Sequence, residues 1–491
     1  MTLDPAAGGD GPLAGSPLGD RGVWLGATVG AVGLLMSALV LARGGGYYVV
    51  VPRLAIVVPL ALVGVVCVLA TAGVGRAAMN AVTWLGVIAL GGLAWNVLTY
   101  SFKFHSAVWS VLIPRIHPVG VDFRDGLYRP AAIFSTAHSG WPPLTLLLGK
   151  PFTLVSLSTG YAIQAAILVA CALGATVLSA KLAMKVAGTP RPEGHAGAPL
   201  PGAVRERALD TPLLALVMGL WLFTSYGFMY EVERGNIDLY ALVLSLLAVW
   251  AMLRARSPWL PALLLAGAIG LKLYPAILLV VLLWRYRRRA VVPAIVTTVA
   301  ALLAAGPANL RSSVSSLDAL QGNVHAEWWG QTSATAMTHV LRAHTGWAPS
   351  WVGYPLIVVP LALWAGTMVV LLRRGWSERG AVLAAAACVP PMAIVPAVSN
   401  DYKLVLCVFP LAVLAVLVST MKRAPVVWTA LFGVLAFVMI FLARSTMLVA
   451  PSLQGSKYTL LVVVQVLLLA AVLLTDPRRM ARPSTSTGSA S

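Results

Sequence analysis

The chain has 491 residues, 59% hydrophobic and 10% charged, with a mean hydropathy of +0.86. Soluble domains average roughly 45–50% apolar and ~25% charged, so a soluble globular protein is excluded and a polytopic membrane protein expected. A net charge of +19 raises nucleic-acid binding, but the cations fall in short runs between apolar stretches, at 181–207, 254–256, 285–289, 373–379, 422–423 and 478–482. That is the positive-inside signature of cytoplasmic loops beside an anionic leaflet, and no nucleic-acid partner is expected. The cysteines (Cys67, Cys171, Cys388, Cys407) lie far apart inside apolar spans and read as small core residues.

Residues 1–20 are rich in Gly, Pro, Ala and Asp, with no basic segment ahead of an apolar one. They read as a disordered cytoplasmic tail rather than a signal peptide. Apolar spans follow at 22–42, 50–74 and 78–99, each near the ~20 residues that a bilayer requires. Residues 21–77 thus hold two additional transmembrane helices, and the main membrane domain runs over 78–475. Residues 100–157 form a long outer loop, and within it WPPLTLLLGKPFTLVS is apolar but too short and Pro-broken to cross. A helix lying along the interface is expected there.

A span at 158–180 returns to a basic inner loop at 181–209. Spans at 211–228 and 237–253 lead out to EVERGN and back to RAR. Only residues 257–284 then separate RAR from RYRRR, and two full crossings would need roughly 40. The hairpin must turn short of the far face, near 272–275, with Lys272 looking into a cavity. Further spans are expected at 290–306, 353–372, 380–398, 403–421, 426–443 and 458–475, with a second long outer loop at 307–352. The sum is about fourteen crossings or part-crossings, with both termini cytoplasmic and 476–491 a second disordered tail.

The polar groups gather on the outer side, with six of the seven histidines. They fall in VDFRD (121–125), EVERGNID (231–238), LKLYP (271–275), HAEWWGQ (325–331) and NDYK (400–403). An ionisable side chain at membrane depth costs from ~2.5 kcal/mol upward, and such residues persist where they line a cavity or site. Asp122 and Asp125 offer a general base for an attacking hydroxyl, or a solvated loop. Glu231, Arg234, Asn236 and Asp238 either bind a sugar or form an ion-pair network joining two helix ends. Lys272 suits a phosphate oxygen; the plainer reading is a lysine snorkelling to the interface. Tyr402 and Lys403 offer a second phosphate contact or an ordinary helix end. Tyr274 and Asp401 neighbour these cations and join the candidate pocket. His325 and Trp328 belong to a Trp-rich stretch that stacks on sugar faces or sits in the headgroup belt. No metal-ligand spacing and no P-loop occur, and no metal or cofactor is expected.

Together the DF pair, WPPLTLLLGKPF, GNIDLYALVLSLL and AGAIGLKLYP with its basic cluster resemble glycosyltransferase family 87 over roughly residues 80–420. The resemblance implies the all-α glycosyltransferase C superfold with outer-face juxtamembrane helices. It also implies an inverting transferase that uses a polyprenyl-phosphate sugar at the outer face of the plasma membrane. Asp122 matches the family's base by its DF context, with Asp125 as fallback, and Lys272 matches the KxYP lysine. Where many members carry a His-containing segment, this chain has NDYK, so Tyr402 or Lys403 would take that role. The partners implied are a lipid-linked sugar donor and a glycolipid or polysaccharide acceptor of the cell envelope. Mannose or another hexose is the first choice of sugar and arabinofuranose the second; a lipid or solute transporter is the alternative from another class.

Overall fold

The computed structural model describes residues 122–128, 141–187, 211–322, 333–346, 349–396, 399, 401–420 and 455–474. The two tails, the spans expected at 22–42, 50–74, 78–99 and 426–443, and His325 and Trp328 lie outside the described residues. Among those described, every regular element is helical.

Helix α1 (Pro143–Gly149) starts on a proline at its first turn, after Pro142 in extended geometry, and passes into a 3-10 turn at Lys150–Leu154. A proline there gives up an N–H that no helix would have used. Seven residues rise about 10 Å, so α1 is too short to cross a bilayer.

Helix α2 (Leu157–Ala187) has 31 residues and rises about 46 Å, more than a hydrocarbon core of ~30 Å. It outruns the span expected at 158–180 because no Gly or Pro interrupts the sequence between Gly174 and Gly188. The span expected at 211–228 is two helices, α3 (Thr211–Thr224) and α4 (Tyr226–Arg234). Ser225 makes the break. Its hydroxyl donates to the Leu222 carbonyl at 2.7 Å and accepts from Phe228 N–H at 3.2 Å, ending one helix and capping the next.

Helices α5 (Asp238–Arg254) and α6 (Trp259–Leu271) form a hairpin, and a 3-10 turn at Tyr274–Leu278 leads into α7 (Leu279–Tyr286). At 13 residues α6 rises about 20 Å, short of a full crossing. It stops one residue before Lys272, where the length arithmetic put the turn. After a 3-10 turn at Arg287–Ala290 come α8 (Val291–Leu303), α9 (Pro307–Gly322) and α10 (Ala334–Thr345). The expected outer loop at 307–352 is therefore largely helical. Ser333 starts α10 by accepting from Ala336 N–H at 3.1 Å, a cap that polar composition disguised as loop. The remaining elements are α11 (Gly353–Arg374), α12 (Glu378–Ile394), a 3-10 turn at Asp401–Cys407, α13 (Val408–Thr420) and α14 (Gly455–Leu474).

Helix α2 packs against α3, α5, α12 and α13, α6 lies between α5 and α8, and α11, α12 and α14 form a further layer. Every residue of α12 from Gly380 to Ile394 is buried. Its run of alanines lets neighbouring backbones approach closely. Conversely Val292, Ile295, Val296, Val299 and Leu303 of α8 are exposed along one face. In a membrane protein such a stripe suits a surface turned to lipid.

By length and composition α2 and α11 can each cross a membrane. Residues 274–303 with 307–315, bent by 83° at the break, form a third candidate. Shorter apolar helices lie at Trp259–Leu271, Tyr402–Val418 and Tyr458–Leu474. The chain is an α-helical membrane protein.

Candidate active site

The site grows from the turn between α4 and α5. Gly235 has φ +67°, and its N–H donates to the Glu231 and Val232 carbonyls, closing α4 with a left-handed residue. A side chain there would meet Phe123, whose Cβ lies 2.6 Å from an ideal Cβ on Gly235. Helix α2 braces the turn from behind. The Gln164 amide donates to the carbonyls of Gly235 at 3.2 Å and Asn236 at 3.1 Å, and Tyr240 O–H donates to Gln164 Oε1 at 2.7 Å. Tyr161 O–H donates to the Val232 carbonyl. With its backbone so held, the turn presents Arg234 and Asn236 in fixed positions.

Both grip Asp122. Arg234 Nη2 donates to Asp122 Oδ1 at 2.6 Å, and Asn236 Nδ2 donates to Oδ2 at 2.8 Å. The other end of the Asn236 amide accepts from Ile237 N–H at 2.7 Å, which fixes its orientation. Asp122 is followed by a π-helical turn, Phe123–Tyr128, a local geometry frequent at functional sites. Phe123 anchors that turn, fully buried among the rings of Phe152 (5.2 Å), Tyr161 (5.8 Å) and Tyr128 (5.9 Å).

The second half of the site begins two residues after Asn236. Asp238 starts α5, is fully buried, and accepts from the Tyr274 hydroxyl. Its Oδ2 lies 3.5 Å from Lys272 Nζ. Lys272 also sits over the Trp141 ring, 4.2 Å from the centroid, a cation–π contact. Thr145 Oγ1 of α1 donates to the Leu271 carbonyl at 3.0 Å and so ties the end of α6 to α1. Lys403, buried, lies 5.1 Å from the Tyr274 ring centroid, and Tyr402 packs on Tyr230 at 5.7 Å. The 3-10 turn that carries this pair lies against α4.

Glu231 sits beneath the turn, fully buried, its Oε1 accepting from Leu239 N–H at 3.2 Å. Its Oε2 has no hydrogen-bond partner among the described residues. Burial, and then the nearby Asp238 carboxylate, hold its carboxyl well above the usual range against the opposing pull of Lys272.

Of the residues singled out in the sequence, Asp122, Glu231, Arg234, Asn236, Asp238, Lys272, Tyr274, Tyr402 and Lys403 come together around this turn. Asp125 does not. It pairs with its neighbour Arg124 at 2.8 and 2.9 Å, 45% exposed. Asp401 opens the 3-10 turn that carries Tyr402 and Lys403. Sequence reasoning missed Trp141, Thr145, Tyr161, Gln164 and Tyr230. Gln164 was findable as a polar residue in a long apolar helix. Trp141 was quoted only as the start of a proline-rich segment. Among the described residues no group of three or more His, Cys, Asp or Glu is placed to hold a metal ion.

A family model for glycosyltransferase family 87 matches residues 141–396, more than half of the chain. The match spans Trp141, the turn and Lys272; it begins after Asp122 and ends before Tyr402. No curated protein and no solved structure matches the chain. With helices able to cross a membrane, buried charges gathered on one turn and this family match, the chain belongs to glycosyltransferase family 87 and is a membrane glycosyltransferase.

Proposed function

We propose that the chain moves a sugar, mannosyl or another hexosyl, from a polyprenyl-phosphate donor to a cell-envelope acceptor at the outer face of the plasma membrane, with inversion. The observation that carries this reading is the pair of grips on one turn. Asp122 is held by Arg234 and Asn236, and two residues on, Asp238 and Tyr274 gather Lys272 and Lys403. A base and a set of cations gathered on one turn of the fold suit a transfer in which a hydroxyl attacks on one side and a phosphate leaves on the other.

In the proposed step, the acceptor hydroxyl gives its proton to Asp122 as its oxygen bonds to the sugar's anomeric carbon. The bond from that carbon to the donor phosphate oxygen breaks, and polyprenyl phosphate leaves with the electron pair. Arg234 and Asn236 hold Asp122 in place and aimed. Each carboxylate oxygen has a second lone pair, so both hydrogen bonds can persist while the proton is taken. Lys272 moves from Asp238 toward the phosphate, and the Trp141 face steadies the ammonium while it does so. Lys403 adds a second cation. The glycosyltransferase C arrangement of about fourteen spans, with α1 as a juxtamembrane helix, would keep this chamber open to the lipid that delivers the donor.

The test uses membranes that contain the full chain, radiolabelled polyprenyl-phosphate mannose and a glycolipid extract from a deletion strain. Release of polyprenyl phosphate with label moving into the extract supports the reading. Asp122→Asn should abolish transfer, and Asp125→Asn should retain it. Full activity of Asp122→Asn would reject the assignment of the base.

A further inference from the structure

Away from the site, the far ends of α5, α7 and α11 converge. Helix α5 carries the chain from Asp238 over 17 residues, about 25 Å, to Arg254. There Tyr286 O–H, at the end of α7, donates to the Ala255 carbonyl at 2.8 Å. Trp284 packs on Trp376 at 5.0 Å, joining α7 to the linker between α11 and α12. These contacts make one continuous face.

The face is strongly basic and nearly free of acid. In residues 250–260, 283–292 and 371–380 the sole carboxylate is Glu378, and Lys185 of α2 already pairs with it at 2.9 Å. Nor are two of the arginines spent on carboxylates. Arg254 lies over Trp250 at 4.1 Å and Arg285 over Trp376 at 4.9 Å. Stacking uses the flat face of a guanidinium and leaves its N–H edge for an anion. Arg285 is half-buried and also lies 5.7 Å from the Tyr286 ring centroid. Arg287, Arg288 and Arg289 are exposed beside them, and Arg287 is the sole non-glycine with positive φ among the described residues, at 52°.

Exposed apolar side chains begin directly beside this patch. Leu260, Leu263, Leu283, Val292 and Leu372 are all exposed. A free phosphate or an acidic soluble protein would use the charge and leave that apolar surface uncovered. A diacyl lipid with an anionic headgroup covers both.

We propose that this end of the bundle is a binding site for an anionic phospholipid. The headgroup phosphate lies on the guanidinium edges of Arg254, Arg285 and Arg288, and the acyl chains run along the exposed leucines and valines. The lipid clamps the ends of α5, α7 and α11 together at the side of the membrane opposite the transfer site. It is a structural ligand rather than a substrate.

The experiment is native mass spectrometry of the full chain purified in detergent and titrated with phosphatidylglycerol, phosphatidylcholine or inorganic phosphate. Phosphatidylglycerol should be retained at least about tenfold better than phosphatidylcholine, and inorganic phosphate should not displace it. The combined variant Arg254→Gln, Arg285→Gln and Arg288→Gln should lose that preference, whereas the matching Arg→Lys variant keeps part of it. Equal retention of the two lipids by the unmutated chain overturns the proposal. So does an undiminished preference in the glutamine variant, or displacement by inorganic phosphate. Should the glutamine variant not fold, the comparison of the two lipids on the unmutated chain still decides. Donor turnover plays no part in this readout, so the proposal stands or falls independently of the donor assignment.

Discussion

Gly235→Ala is the sharpest test of how the turn builds the site. The new methyl group would sit in a left-handed conformation, which costs an L-residue roughly 1–2 kcal/mol. It would also meet the Phe123 Cβ at 2.6 Å, well inside van der Waals contact. Phe123 cannot retreat, because Phe152, Tyr161 and Tyr128 surround its ring and it has no exposed surface. Overpacking of a filled core costs about 1–3 kcal/mol, and the two penalties together come to about 2–5 kcal/mol. The functional effect should be larger than the loss of stability suggests. Asp122 precedes Phe123 and Asn236 follows Gly235, so the clash pushes apart the two residues joined at 2.8 Å. A shift near 1 Å in a reacting group costs on the order of a hundredfold in rate. The assay is transfer in membranes, normalised to folded protein by fluorescence-detected size exclusion, with the thermal midpoint in the same detergent. Gly174→Ala in α2 is the control, since a Cβ there meets only Val243 at 3.9 Å. A Gly235→Ala protein with the activity and midpoint of the unmutated chain would refute the idea that this turn positions the base.

Other perturbations probe separate parts of the site. Lys272→Gln removes a charge-assisted contact worth about 1.5–3 kcal/mol and should lower kcat/KM for the donor roughly 10- to 100-fold; steady-state kinetics with varied donor would check it. Trp141→Ala leaves the ammonium charge but removes the ring at 4.2 Å; donor KM should rise while Trp141→Phe keeps most of the function. Glu231 gives a pH signature. Its carboxyl is raised in the folded chain, so the folded state holds a proton that the unfolded chain has lost above its ordinary pKa of ~4.3. Stability should therefore fall as pH rises above that value, until the raised pKa is passed. Glu231→Gln should flatten that slope in thermal melts taken across pH, and an unchanged slope would show that Glu231 is not the group responsible. Asp122→Asn should lower transfer at least about 10²- to 10⁴-fold, to the floor of the assay, and should lower the thermal midpoint as well by removing the charge that pairs with Arg234, whereas Asp125→Asn, on the solvated side of the π turn, should cost little in either.

Several features were legible in residue order alone. Membrane class followed from composition, because 59% apolar and 10% charged residues cannot make a soluble surface. The short hairpin followed from counting 28 residues between two arginine clusters, since chain length bounds reach whatever the packing. The match of the GNID and KLYP blocks to a glycosyltransferase family followed from short-range patterns that survive without coordinates. Helix ends set by a single side chain were harder to see. Ser225 splits one apolar stretch into two helices, and Ser333 starts a helix inside what composition marked as a loop. Both depend on hydroxyl geometry that composition does not report.

Only tertiary structure decided which acid of VDFRD enters the site. Asp122 and Asp125 are equivalent by composition and three residues apart. A π-helical turn pinned by Phe123 sends one toward Arg234 and the other toward its neighbour Arg124. Partnerships such as Asp122 with Asn236, Lys272 with Trp141, and Lys403 with Tyr274 join residues more than a hundred positions apart. Local sequence carries no record of such pairs. They exist because burying charge in a membrane bundle is tolerable only where the fold brings its partners to meet it.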